Sequence, residues 1–426
     1  VGSEMCIRDR HYEMEQEEHD VYPDDPDFDI NKARLVTTAP RICVRYECVP
    51  MRFIKHVYKI HTYAQDGRLF EGKTPVSAFL NSSYDGSFIA GLMELRYIQS
   101  LPVERIINYF ESHGFTLKKP TAHKLMEKAS SLFENLYKCI RQTALGDPYK
   151  AADETYYKIL VPEKNSKGKG VRKGYLWVVV GINTRMIYLL YDDGSRSEKV
   201  ILNELGGCKG IIQSDGYSPY RKLESDAYPH ITRIPCLQHI KRKFIDCGEK
   251  DPDAKRIVEL INALYQNEHK HKVGVEGWTV EQNLVHRKKY APDILGEIKD
   301  VLDEIEERGD LLPKSELQEA ITYLRNEWNA VVDIFNYGDT YLDNNMVERM
   351  NRYISLSRKN SLFFGSHKGA ERGAILYTIA LTCRMHKVNL FEYLTDVINR
   401  TAEWQPNTPI EKYRELLPDR WEKAND

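Results

Sequence analysis

The feature that most restricts the fold is a series of short hydrophobic segments between residues 153 and 236. Their β-branched and aromatic content predicts strands at 153–160, 175–182, 186–191, 210–214 and 231–236. A helix is predicted between the third and fourth strands, at 195–205. The first three strands follow one another in hairpin sequence. The pattern therefore predicts an α/β fold with a mixed sheet and flanking helices.

Two aspartates have special places in this strand order. Asp153 lies on the first predicted strand, and Asp215 directly follows the fourth. This order of strands and acids is that of a ribonuclease-H-like core, in which the first and fourth strands are neighbours. We therefore expect the two carboxylates to lie together, and Glu348 on a later helix could complete the set. Grouped carboxylates suit Mg²⁺, and two such ions about 4 Å apart can support in-line phosphoryl transfer.

Helices are predicted on both sides of this core. Residues 88–140 are predicted to be helical with a break at His113–Gly114, which fits a helix-turn-helix DNA reader and equally an ordinary helical hairpin. Residues 250–335 are almost wholly helical in pattern, and further helices are predicted to begin near Asp343 and Gly369. Residues 41–63 predict a short two-stranded unit.

Charge is distributed unevenly along the chain. Residues 1–30 carry a net charge of −9, so the remainder carries +7 because the whole chain carries −2. This acidic leader is predicted to be disordered, and the basic body permits a polyanionic partner. Residues 1–10 resemble translated sequencing adapter, so we expect them to be an artefact and the true N-terminus to be missing.

Cysteine usage and hydropathy indicate in which cellular compartment the protein is expected. The 8 cysteines are scattered without a CxxC pair, and no secretory leader or run of about 18 apolar residues occurs. These features predict a reducing, cytoplasmic compartment and no membrane span. Cys43, Cys48, His56 and His61 match no standard zinc finger, so we expect structural roles for them and no zinc in the N-terminal region.

Nine blocks in fixed order resemble the transposases of the insertion sequence 66 family, the TnpC-type proteins. The blocks are YECVPMRFIKHV (46–57), ADET (152–155), GYLWV (174–178), QSDGYSPY (213–220), CLQHIKRKF (236–244), LPKS (312–315), DNNMVER (343–349), RKNSLFFGS (358–366) and GAILY (373–377). The family usually has a coiled segment and a cysteine-rich zinc-binding element ahead of the first block. This chain has an acidic leader there instead.

The resemblance implies an Asp-Asp-Glu transposase that cleaves the 3′ ends of an insertion sequence and transfers the strands to target DNA. It implies that Asp153, Asp215 and Glu348 hold two Mg²⁺ ions, for which Mn²⁺ could substitute, with Glu154 and Asp343 as the nearest alternatives. Double-stranded DNA, accessory transposition proteins and oligomerisation on DNA are the implied partners. Two alternatives stay open: an inactive or truncated remnant that only binds DNA, and a nuclease that cuts without strand transfer.

Basic residues form a second layer around the acids. The expected DNA-binding residues are Lys173, His239, Lys241, Arg242, Lys243, Arg349, Arg352, Arg358 and Lys359. In a nucleic-acid enzyme such residues neutralise phosphates without reading sequence. The alternatives are a solvated face, pairing of Arg352 with Glu348 one helical turn away, and a structural role for His239.

These patterns divide the chain into five expected parts. They are a leader (1–30), an N-terminal DNA-binding region (31–145), the first part of the catalytic core (146–248), a helical insertion (249–340), and the glutamate helix with C-terminal helices (341–426).

Overall fold

The structure is a computed structural model that describes residues 15–423 apart from 50–51, 76, 80–81, 165–167, 169, 249–250, 403 and 406. The adapter-like residues 1–10 lie outside the described residues. The chain forms two compact units. Unit 1 comprises the described residues of Val1–Arg141, Tyr157–Arg172 and Tyr353–Asp426, and unit 2 those of Gln142–Tyr156 and Lys173–Arg352.

The secondary structure alternates strands and helices along the whole chain. The strands are β1 (Glu15–Val21), β2 (Arg34–Leu35), β3 (Arg41–Val49), β4 (Arg52–Ile60), β5 (Thr62–Gln65), β6 (Arg68–Glu71), β7 (Tyr149–Leu160), β8 (Val171–Gly181), β9 (Ile187–Leu190), β10 (Gly210–Ser214), β11 (Ile231–Pro235) and β12 (Phe363–Phe364). The helices are α1 (Gly86–Met93), α2 (Val103–Ser112), α3 (Lys119–Leu132), α4 (Glu134–Gly146), α5 (Glu198–Leu205), α6 (Ser218–Arg221), α7 (Leu237–Asp246), α8 (Pro252–Glu268), α9 (Val280–Arg308), α10 (Glu316–Ile334), α11 (Asn345–Ser361), α12 (His367–Met385), α13 (Leu390–Ala402) and α14 (Ile410–Glu415).

The main sheet has the strand order β11-β10-β7-β8-β9, and β12 pairs with the C-terminal half of β7. Strand β10 runs parallel to both β7 and β11, whereas β8 and β9 are antiparallel. The run Trp177–Val180 on β8 is fully buried, as expected for a strand covered on both faces. The predicted mixed α/β sheet is confirmed, and its five predicted strands each overlap an observed strand.

The predicted helical stretch in unit 2 is also confirmed and consists of α8, α9 and α10. Each helix begins at a residue whose side chain accepts a backbone N–H bond, namely Asp251, Thr279 and Ser315. On α9, the apolar stripe that includes Ile298 and Leu302 is buried, so the helical periodicity of the sequence reflects core packing.

The N-terminal sheet of unit 1 has the order β1-β4-β3. The predicted two-stranded unit is confirmed as the antiparallel pair β3 and β4. The expectation of disorder is wrong for residues 15–21, because they form β1, parallel to β4. Opposite charges explain the pairing: Glu18 on β1 forms an ion pair with Lys59 on β4, and Asp20 lies 2.8 Å from His61.

Aromatic packing joins this sheet to the helices of unit 1. The Phe53 ring on β4 lies 4.9 Å from the Phe110 ring on α2 and 4.8 Å from Phe115. Gly114, with φ of +83°, makes the turn between α2 and the next helix that the sequence predicted. None of the helices in the described part of the chain is both long and apolar enough to cross a membrane.

Candidate active site

The first two candidate acids lie near each other where β10 ends beside β7. Gln213 on β10 lies opposite Ala151 on β7. Asp153 is two residues beyond Ala151 on β7, and Asp215 directly follows the last residue of β10. The negative charge of Asp215 acts on the carboxyl of Asp153, as expected for side chains that follow paired strands about 4.8 Å apart.

The surroundings of Asp153 disfavour the ionised form of its carboxyl group. Its carboxylate accepts hydrogen bonds from the Asn351 side-chain amide at 2.6 Å and from the Glu154 backbone N–H at 2.8 Å. Burial, followed by the negative charges of Glu154 and Asp215, nevertheless raises the pKa of Asp153 to about 7. The two hydrogen bonds oppose this rise without cancelling it.

Glu154 is a third carboxylate beside this pair. Its side chain is 5 % exposed, forms an ion pair with Arg196 and accepts a hydrogen bond from the Tyr220 hydroxyl at 3.3 Å. Burial raises its pKa, Arg196 lowers it and the charge of Asp215 raises it again. Arg196 therefore pairs with Glu154, while Asp153 and Asp215 lie beside this ion pair.

The segment that carries Asp215 is held by contacts to β11 and α10. Arg233, whose side chain is fully buried, donates to the Asp215 carbonyl at 2.7 Å and forms an ion pair with Glu327 on α10. The Gly216 N–H donates to the Tyr323 hydroxyl at 2.8 Å, and a Cβ at Gly216 would lie 2.5 Å from that oxygen. Both polar groups of the peptide that joins Asp215 to Gly216 are therefore fixed, the carbonyl by Arg233 on β11 and the N–H by Tyr323 on α10.

Glu348 lies on the first turn of α11 and faces a different set of side chains. Its Oε1 is 3.9 Å from the Cys236 Sγ and 3.6 Å from the His239 Nδ1. These three residues form a group whose ligand atoms all lie within 4.8 Å of one another. Within the described residues, Asp153, Asp215 and Glu348 do not form such a group.

Glu348 is nevertheless connected to Asp153 through its own helix. Asn351, which donates to Asp153, follows Glu348 by three residues, so the two side chains lie on one face of α11 about 5–6 Å apart at their Cβ atoms. Burial, with a contribution from the charge of Glu348, raises the pKa of the Cys236 thiol to about 12. Burial thus favours the neutral form of this thiol.

The start of α11 is anchored to the sheet by buried side chains. The Asn344 amide donates to the Ala152 carbonyl at 3.1 Å, directly before Asp153, and its backbone N–H donates to Cys236 Sγ. Gln213 donates to the Tyr341 carbonyl at 2.8 Å. Asp343 accepts from the N–H of Asn345, the first residue of α11. The carbonyl of Asn344 accepts the first helical bond, from the Glu348 N–H, so Asn344 and not Asp343 stands at the N-cap position.

The expected DNA-binding residues are distributed over both units. Those of unit 2 are Lys173, His239, Lys241, Arg242, Lys243, Arg349 and Arg352, and those of unit 1 are Arg358 and Lys359. Lys173 stacks over the Tyr156 ring at 4.3 Å, and Lys241 lies over Tyr265 at 5.9 Å. Arg242, Lys243, Arg349 and Arg352 are exposed.

The sequence patterns missed most of the supporting residues. Arg196 comes from the segment before α5, and Arg233 meets Glu327 across 94 positions, so no local pattern marks either contact. Asn351 is an exception, because its position one helical turn after Glu348, on the same face of the helix, could have identified it from the sequence.

This chain is similar to a known family of proteins. A family model described as transposase IS66 family matches residues 81–372. That match includes every candidate acid and every expected DNA-binding residue.

Three curated relatives from Sinorhizobium fredii, all named as uncharacterized proteins, are similar over most of this chain. The protein y4jD is 25% identical over 78% of this chain and 65% of its own length. For y4hP the identity is 24% over 93% of this chain and 76% of the relative, and for y4qI it is 26% over 86% and 69%. This chain therefore covers about two thirds to three quarters of the relatives' lengths.

Proposed function

The chain belongs to the IS66 family of transposases, and on that basis we propose that it cleaves the 3′ ends of an insertion sequence and transfers them to target DNA in a divalent-metal-dependent reaction. The observation that carries the proposal is the paired arrangement of Asp153 and Asp215 at one sheet edge, where the pKa of Asp153 is raised to about 7. Carboxylates with excess negative charge are expected where a cation binds.

The strand order supports a ribonuclease-H-like interpretation of the core. In that interpretation the first and fourth strands are neighbours, and β7 and β10 are neighbours in this sheet. Strand β11, the fifth, lies outside β10 and parallel to it, and β8 and β9 follow on the other side of β7. This order brings together the aspartates that the family resemblance selects.

The donor set fits Mg²⁺ or Mn²⁺ because it consists of carboxylate oxygens. Asp153 and Asp215 would hold the ions, with Glu348 joining them from α11 and Glu154 retained by Arg196. Bound ions of this kind supply Lewis-acid stabilisation for both the attacking and the leaving oxygen of phosphoryl transfer. They would also lower the pKa of Asp153, so that the carboxylate is ionised at neutral pH.

The reaction consists of two displacements at phosphorus. In the first, the oxygen of water attacks a phosphorus at the end of the element, and the bond from that phosphorus to the 3′ oxygen breaks. In the second, the released 3′-hydroxyl attacks a phosphorus of the target, and a target 3′-hydroxyl leaves. Asn351 orients the Asp153 carboxylate by its hydrogen bond, and Arg196 forms an ion pair with Glu154 beside it.

The exposed cations supply affinity for DNA in this proposal. Four of these cations are exposed on α7 and α11, the helices that carry His239 and Glu348. They are Arg242, Lys243, Arg349 and Arg352. Contacts of this type bind phosphates of any sequence and weaken steeply as salt increases. The choice of element end is then expected to depend on the helices of the N-terminal region.

The test uses the purified full chain and a supercoiled plasmid that carries the DNA flanking this reading frame. We expect nicks with extendable 3′-hydroxyl ends in Mg²⁺ or Mn²⁺ and none in EDTA. Replacing Asp153 or Asp215 with Asn, or Glu348 with Gln, should lower the rate by about 1,000-fold, which corresponds to several kcal/mol of transition-state stabilisation. Asp226→Asn, an exposed acid between β10 and β11, is the matched control.

A DNA-binding protein without catalysis is the second candidate. The position of Glu348 against Cys236 and His239, instead of within the Asp153–Asp215 group, favours this candidate for the free protein. Binding of the flanking DNA without nicking in either metal would support it. Nicking without joined products would instead identify a nuclease, and undiminished nicking by folded Asp153→Asn protein would refute the assigned site.

A further inference from the structure

A second group of metal-ligating side chains lies in the N-terminal sheet of unit 1. Glu17 and His19 are on β1, and His56 is on the neighbouring strand β4, directly opposite Glu17 in the register. One ligand atom from each residue lies within 4.8 Å of the others. This group shares only His56 with the Cys43, Cys48, His56 and His61 set considered from the sequence, because His61 turns to Asp20 instead.

The hydrogen bonds around His56 determine which of its ring nitrogens is free to bind a metal. Its Nε2 lies 2.6 Å from a carboxylate oxygen of Glu47. An ionised carboxylate can only accept, so Nε2 carries the proton and donates it. With the proton on Nε2, the Nδ1 atom is the nitrogen that can bind a metal, and it lies 3.2 Å from the His19 Nε2 and 3.8 Å from the Glu17 Oε2.

A carboxylate behind a histidine in this way is the usual second-layer partner of a metal-binding imidazole. It fixes the ring orientation and increases the basicity of the other nitrogen. The side chain of His56 is only 10 % exposed, so its ring is further held by packing. The hydrogen bond to Glu47 on β3 thus orients the His56 ring on β4 so that its other nitrogen can bind a metal ion.

The distances match a tetrahedral ion. The His19 Nε2 and His56 Nδ1 atoms are 3.2 Å apart, and the Glu17 Oε2 atom is 3.7 Å from the first and 3.8 Å from the second. Zinc bonds to nitrogen and oxygen of about 2.0–2.1 Å give ligand–ligand edges of about 3.3–3.4 Å in a tetrahedron. Shifts of a few tenths of an ångström in two exposed side chains would complete the fit.

We propose that Glu17, His19 and His56 bind one Zn²⁺ ion, with Glu47 as the positioning residue for His56. Two imidazoles and one carboxylate are a ligand set that zinc accepts, with a fourth position open to solvent because His19 and Glu17 are 44 % and 47 % exposed. The ion links the acidic edge strand β1 to the central strand β4. This site is independent of the proposed catalytic site and contains no cysteine.

The first test measures zinc stoichiometry in the full chain. After removal of metals, the wild-type chain is expected to take up one equivalent of Zn²⁺ that His19→Ala and His56→Ala variants lose. Glu47→Gln should retain the site with about 10- to 100-fold weaker affinity, the usual effect of removing such a partner. His61→Ala on the same sheet is the matched control and should bind as the wild type does.

A second measurement identifies the ligands and the strand. Co²⁺ in place of Zn²⁺ should give the visible absorption of a tetrahedral site without a thiolate charge-transfer band. Zinc should also slow hydrogen exchange of the β1 amides in the wild type and leave them unchanged in His19→Ala.

Two results would overturn the proposal. One is equal zinc uptake by the wild type and His56→Ala, and the other is an equivalent lost in His239→Ala but retained in His19→Ala. The second would place the ion at the Cys236–His239–Glu348 group.

Discussion

The two aspartates of unit 2, here called the strand pair, and Glu348, the helix acid, are positioned in different ways. Asp153 lies on β7 and Asp215 directly follows β10, so the pairing of these two strands brings both acids to one place in the sheet. Glu348 lies on α11, whose start is anchored by side-chain hydrogen bonds of Asn344 and, through the Tyr341 carbonyl, of Gln213. The position of the strand pair therefore depends on backbone hydrogen bonds between strands, whereas the position of the helix acid depends on a few buried side-chain contacts.

The environment of the strand pair disfavours the ionised form of Asp153. Burial, followed by the negative charges of Glu154 and Asp215, raises the pKa of Asp153 to about 7. The side chain of Glu348 is 28 % exposed and lies beside His239. A divalent cation bound by Asp153 and Asp215 would offset the repulsion between their charges.

The largest expected effect is on the pH dependence of stability. A carboxyl whose pKa is raised from 3.8 to about 7 keeps its proton in the folded state when the unfolded state has lost it, so stability falls as pH rises from about 4 to about 7. Asp153→Asn should remove this penalty, which is at most about 4 kcal/mol at pH 8. The thermal midpoint in EDTA should rise at pH 8 and stay unchanged at pH 4.

The control for this prediction is Asp226→Asn, which alters an exposed acid. This variant should shift the thermal midpoint only slightly, and by the same amount at pH 4 and at pH 8. If Asp153→Asn and the wild type lose stability in parallel between pH 4 and pH 7, the repulsion assigned to the strand pair is absent.

An effect of comparable size is expected from the buried ion pair of Arg233 and Glu327, which supports the peptide after Asp215. Glu327→Gln leaves the fully buried Arg233 with Glu224 as its remaining carboxylate, and breaking a buried pair in this way costs about 3–5 kcal/mol. Urea unfolding should show the loss, and Mg²⁺ affinity should fall with it because the Asp215 segment loosens. Glu319→Gln, an exposed acid on the same helix, should change neither quantity.

The smallest effect is expected from removing a side chain that anchors the helix of Glu348. Asn344→Ala removes the hydrogen bond to the Ala152 carbonyl, which is worth about 1–3 kcal/mol when a buried acceptor is left unsatisfied. DNA nicking should fall more than stability does, because Glu348 loses its position. Equal Mg²⁺ affinity of variant and wild type, together with slower nicking, would separate the helix acid from the strand pair. Unchanged nicking would contradict the role given to this anchor.

The sequence was sufficient where a periodic pattern determines the structure. Alternation and apolar runs located the strands on which Asp153 and Asp215 lie, and the order of those strands predicted that the acids are neighbours. Helical spacing located the helix of Glu348. The match of the family model to residues 81–372 confirms the resemblance read from the sequence blocks.

The sequence was insufficient where contacts join distant segments. Arg233 and Glu327 find each other only after α10 packs on the sheet, and nothing in either segment marks a buried ion pair. Strand β1 was missed because its acidic composition resembles a disordered segment. It is ordered through charges on β4, including Lys59, that lie some forty residues away in sequence.

The most direct test of the central claim is a crystal structure of the full chain soaked in Mn²⁺, with anomalous scattering used to locate the ion. The account predicts a peak bound by the carboxylates of Asp153 and Asp215, absent from crystals of the Asp153→Asn variant. Saturation with Mn²⁺ that leaves these two residues without a peak, or that places one only at Cys236, His239 and Glu348, would contradict it.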